Sequence, residues 1–113
     1  SKQLSIKQRS IVMKIQEDVK KVIEGSSYVT IVTVGEAGEP HPIIVGNVKA
    51  GEDAIIIGIY KMEVTQKNLQ KNPKAWILAA TVDGGPKGYR LVGNAVVKDK
   101  EVIFTPESAE LLL

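Results

Sequence analysis

The sequence predicts a mainly β fold: a small, mostly antiparallel β-barrel with flanking helices, built as a single domain over residues 1–113. Three observations carry this. Short runs rich in β-branched residues recur from Tyr28 onward. Clusters of Gly, Pro, Asn and Asp separate them at hairpin spacing. Only the N-terminal stretch and the segment after the third strand change to a helical period.

The N-terminal helix starts from Ser5-Ile6-Lys7-Gln8, a capping box whose hydroxyl and amide satisfy orphan backbone donors. Val12, Ile15, Val19, Val22 and Ile23 form its apolar stripe, and Gly25 stands where a left-handed cap ends it. Residues 28–34 (YVTIVTV) form the first strand, and 35–39 a turn flanked by Pro40 and Pro42. Residues 43–48 form the second strand, and 50–53 turn the chain into residues 54–60 (AIIIGIY), whose nearly continuous apolar run predicts burial on both faces. A short helix follows over 61–72, stopped by Asn72-Pro73. Residues 75–82, 88–97 and 102–104 complete six strands, and Gly93 inside the fifth marks a bulge or a close backbone approach.

Composition narrows the chemistry. Hydrophobic residues at 43% and charged residues at 25% are the balance of an ordinary globular domain, not of a disordered chain. A net charge of +2 with 4% aromatics offers little to nucleic acid or to acidic membranes. The absence of cysteine excludes disulfides, iron–sulfur clusters and thiol nucleophiles, and the single histidine, His41, excludes two-histidine zinc motifs. No apolar run reaches the roughly 18 residues of a membrane span. A cytoplasmic location is the resulting expectation. No side chain stands out as catalytic and none as a metal ligand, so redox chemistry requires a bound cofactor.

The most informative stretch is IYKMEVTQKNLQKNP, residues 59–73. Helical spacing places Lys61, Thr65 and Asn68 on one face beside a helix N-terminus: a cation, a hydroxyl and an amide, the groups a phosphate needs. The same pattern also describes a solvated polar face on a surface helix, and spacing does not separate the two. His41, between two prolines, reads first as a turn or surface residue, and Trp76 as a core or interface residue. Tyr28, Tyr60 and Tyr89 suit barrel rims, and Glu36, Glu39, Glu52 and Asp53 fall in solvated turns.

The ordered segments YVTIVTVGEAGEPHPIIVGN, AIIIGIY, VTQKNLQKNPKAWILAAT and GYRLVGNAVV resemble the pyridoxamine 5′-phosphate oxidase-like FMN-binding split-barrel superfamily, in its small single-domain form. The most specific element is Asn68-Leu69-Gln70-Lys71-Asn72-Pro73 after a buried strand. The resemblance implies a six-stranded split barrel, a homodimer, and FMN at the subunit interface. It implies an oxidoreductase or electron carrier with an unnamed redox partner. Ile44, Val45, Gly46 and Asn47 match positions that run along the flavin. Ile59, Tyr60, Lys61, Met62, Thr65 and Asn68 match the segment around its phosphate and ribityl chain. Several family members carry a lysine at or just before the position of Thr65. Here Val64 and Thr65 stand there, which leaves the charge to Lys61 or Lys67. The alternative is a non-enzymatic split-barrel dimer binding haem, with His41 as axial ligand, or another small ligand. A single-stranded nucleic-acid barrel is a remote third.

Overall fold

The computed structural model describes residues 13–113, in the order α1 (Glu17–Gly25), β1 (Val29–Val34), β2 (Pro40–Val45), β3 (Val48–Ala50), β4 (Ile55–Gly58), α2 (Glu63–Lys71), β5 (Lys74–Thr81), β6 (Lys87–Lys98) and β7 (Glu101–Leu111). The seven strands form one curled antiparallel sheet, ordered β2-β1-β5-β6-β7-β4-β3. Strand alternation builds the concave face. Val29, Ile31 and Thr33 of β1, Ala75 and Ile77 of β5, Leu91 and Ala95 of β6, and Val102 and Phe104 of β7 all point inward and are buried. Both helices add apolar residues to the same core, α1 through Val19, Val22 and Ile23, α2 through Leu69. Each large side chain so buried contributes about 1.5–3 kcal/mol.

Six expected strands become seven because the run 43–48 is divided. β2 ends at Val45, Gly46 and Asn47 bend, and β3 begins at Val48 on the far edge of the sheet. The bend is fixed on both sides. The Tyr28 ring lies against Gly46, where an added Cβ would stand 3.0 Å from Cε1, and the Gly58 amide donates to the Asn47 carbonyl at 2.9 Å. Pro40 and Pro42 lie inside β2, which tolerates them as an edge strand.

The helical stripe is real but shorter than its period implies. Residues 13–16 are not helical, and the Ile15 amide instead donates to the Glu52 carbonyl at 2.6 Å, tying the chain to the β3–β4 turn before α1 begins. The capping box at Ser5 and Val12 of the stripe lie outside the described residues. Gly25 closes α1 without left-handed geometry. Ser26 does the work of a cap, its hydroxyl 2.6 Å from the Val22 carbonyl and 2.8 Å from that of Ala80.

β4 is buried on one face only: Ile55 and Ile57 point inward and Ile56 is half-buried. The expected bulge at Gly93 is present. Val92 pairs with Ser108 and Gly93 with Pro106, leaving Glu107 as the extra residue. A Cβ at Gly93 would overlap the Thr105 carbonyl oxygen. The last strand runs to Leu111, well past the apolar 102–104, because its second half pairs only with β6 and needs no inward apolar face.

Candidate functional site

The chain leaves β4 at Gly58, and the Ile59 amide donates to the Lys100 carbonyl at 2.9 Å. Tyr60 then projects into solvent, 80% exposed. Lys61 and Met62 are both left-handed, with φ of 63° and 55°. Two consecutive non-glycine residues there cost about 1–3 kcal/mol each. The Gln66 side chain reaches back to the Lys61 carbonyl at 3.0 Å and braces the turn. α2 follows with no side chain capping its start, so the first-turn amides keep the positive end of the helix dipole.

Behind that turn lies Thr65. It is fully buried, and among the described residues its hydroxyl has no hydrogen-bond partner. One turn on, the Asn68 side-chain amide donates to the Thr33 hydroxyl at 3.1 Å, joining α2 to β1. Helical spacing groups Lys61 with these two, but Lys61 and Met62 are the left-handed pair and α2 starts only at Glu63, so Lys61 lies outside the helix. Its ammonium instead stands 5.6 Å over the Tyr60 ring.

On the sheet, Ile44 faces outward at 71% exposure while Val45 is buried in the core. Gly46 and Asn47 form the exposed bend, and the Asn47 side chain lies against Gly58. The bend after β2 and the exit from β4 therefore touch, which brings Val45, Gly46 and Asn47 to the same end of the sheet as Ile59 and Tyr60. Asn68 sits at the other end of β1, beside Thr33, whose cross-strand partner is the half-buried His41. Lys67 is exposed and borders a groove between α2 and the β1–β2 turn, which Asn68 also lines. That groove, near Glu36 and Lys71, was hidden from the sequence. Only the i, i+3, i+7 spacing of Val64, Lys67 and Lys71 hinted at it.

Residues 15–108 match the family model described as Pyridoxamine 5′-phosphate oxidase. The chain belongs to that family. Members of this family's fold are recognisable in solved structures at low identity. HupZ of Group A Streptococcus superposes with a TM-score of 0.73 at 20% identity, covering 87% of this chain and 94% of the other. An FMN-binding protein from Syntrophomonas wolfei gives 0.72 at 16% identity, over 99% of this chain and 92% of the other. A protein called F420 reductase gives 0.67 at 12% identity, over 85% and 98%. These likenesses establish the fold. Comparison with curated proteins found no match. Among the described residues, no helix is long and apolar enough to cross a membrane.

Proposed function

We propose that this member of the pyridoxamine 5′-phosphate oxidase family binds FMN at a homodimer interface and acts as a flavin-dependent oxidoreductase or electron carrier. One observation carries the reading: the uncapped start of α2, entered through two left-handed residues, with a buried threonine hydroxyl behind it that has no partner among the described residues. These groups fit a phosphate monoester in kind. Free first-turn amides and a helix dipole attract an anion, and an orphaned hydroxyl costs about 1–3 kcal/mol until something bonds it. The description of the Syntrophomonas protein as FMN-binding adds support from within the fold.

Thr65 and the amides of the first turn would hold the phosphate, with Lys61 supplying positive charge after swinging off the Tyr60 ring. Backbone groups of Ile44, Val45, Gly46 and Asn47 would line the flavin edge, with Ile59, Tyr60 and Met62 beside the ribityl chain and Asn68 steadying α2 against β1. When bound, the flavin supplies hydride or electron transfer, and the chain contributes binding and orientation. A second copy would cover the outer sheet face, where Trp76 lies between Val32 and Val92 in one cross-strand row. In the next row Leu78 lies between Thr30, whose partner is Ile44, and Arg90.

The test is a visible spectrum of the purified protein, followed by titration with FMN under flavin fluorescence. Released flavin identified as FMN, or saturable quenching on titration, is the expected result. Indifference to FMN overturns the proposal. A Soret band on haem addition that His41→Ala abolishes would put haem in its place.

A further inference from the structure

Val64, Lys67, Asn68 and Lys71 of α2 border a groove of about 870 Å³, walled on its other side by the β1–β2 turn. Its size lies in the range of small-molecule sites. Val34 and Val64 supply apolar surface, Val64 being half exposed. Glu36, Glu39, Lys67 and Lys71 supply charge.

Three of these four side chains already have a partner within the protein. The Glu36 carboxylate is bound by the Lys71 ammonium across the end of the groove. That contact holds the Glu36 carboxyl below its ordinary range, with a smaller pull from Lys67. Glu39 folds back under its own turn, where its carboxylate accepts the Ala37 amide at 2.9 Å and packs on Gly35. Lys67 is left. Among the described residues it forms no ion pair, although it stands one helical turn from both Val64 and Lys71. An inorganic ion would leave the valine surface in water, and an amine would meet the unpaired ammonium.

We propose that this groove is a binding site for a small organic carboxylate with an apolar body, anchored by Lys67 and resting on Val34 and Val64. The carboxylates of Glu36 and Glu39 at the turn side disfavour a second anionic group, so the ligand is a monoanion. The groove shares Asn68 with the proposed flavin site but neither Thr65 nor Lys61, and it does not rest on that reading. If the flavin reading also holds, the groove gives a carboxylate substrate or effector a place on the helix that carries the cofactor.

The test is an amide-resolved NMR titration of the full chain with benzoate, against benzylamine as the charge-reversed probe, on the wild type and Lys67→Gln. Saturable benzoate shifts at residues 34–39 and 64–71, weakened at least about fivefold by Lys67→Gln and absent with benzylamine, are expected. Unsaturating shifts, equal response to benzylamine, or benzoate binding unchanged in Lys67→Gln overturn the proposal. FMN titration of the same variant keeps the two readings apart. Retained FMN affinity places Lys67 in the groove, whereas parallel loss of FMN assigns Lys67 to the flavin and overturns the groove. Failure of the wild type to bind FMN, with benzoate binding intact, removes the flavin reading alone.

Discussion

Thr65 is buried, and among the described residues its hydroxyl has no hydrogen-bond partner. A hydroxyl that is buried and unpartnered works against folding, because its hydration is lost and nothing replaces it. Thr65→Val keeps the shape and removes the hydroxyl, so the ligand-free protein should gain about 1 kcal/mol. If the hydroxyl bonds the flavin phosphate, the same variant should weaken FMN by about 1–2 kcal/mol. Denaturant midpoints and fluorescence titration read the two effects independently. Their opposite signs separate a ligand role from a packing role, since a residue that only fills space would leave FMN affinity unmoved.

One ladder is shaped by a single glycine and one turn is held by a single ion pair. The β6–β7 ladder changes register at Gly93, where the Thr105 carbonyl approaches too closely for any Cβ. Gly93→Ala should therefore destabilise the protein by at least about 2 kcal/mol, measured by urea unfolding, because the longest strand pair must shift to admit one methyl group. The β1–β2 turn is strapped to α2 by Glu36 and Lys71, both well exposed. Lys71 depresses the Glu36 pKa in the folded state, so the pair stabilises above the unfolded carboxylate pKa of about 4.3 and the effect is lost as pH falls through the lower folded value. Glu36→Gln should lower the melting temperature slightly at neutral pH and not at all in strongly acidic buffer. Solvent screening keeps the neutral-pH effect small, and high salt should shrink it further.

At the scale of the molecule, the curl of the sheet gives one face to the core and leaves the other half-exposed. The inward face is closed by both helices, whereas Val32, Trp76, Leu78 and Val92 remain only half-buried on the outside. Ile44 extends that surface along the edge strand at 71% exposure. Ile44→Glu should cost the folded subunit little, because the side chain is already in water. In the proposed dimer it would bury an unpaired charge, and each such charge costs several kcal/mol. Sedimentation velocity should show a monomer with unchanged circular dichroism. A dimer that survives the substitution would place the interface elsewhere.

Much of this protein was legible in its sequence, for local reasons. Alternation in residues 28–34 and 75–82, the Asn72-Pro73 stop and the Gly93 bulge each depend on neighbours along the chain or on glycine's missing Cβ, and each is found where the pattern put it. The ordered motifs likewise identified the family that the model match establishes. The split of 43–48 into two strands at opposite sheet edges was not legible, because Tyr28 and Gly58, distant in sequence, hold the bend. Nor was the length of β7, which its partner strand sets rather than its own apolar content. Helical spacing joined Lys61 to Thr65, but two left-handed residues, a conformation that neither Lys nor Met announces, parted them. Spacing along a chain records which residues can share a face. Whether a hydroxyl ends up buried without a partner, or an ammonium is left free beside two satisfied carboxylates, depends on contacts between segments that only the folded molecule brings together.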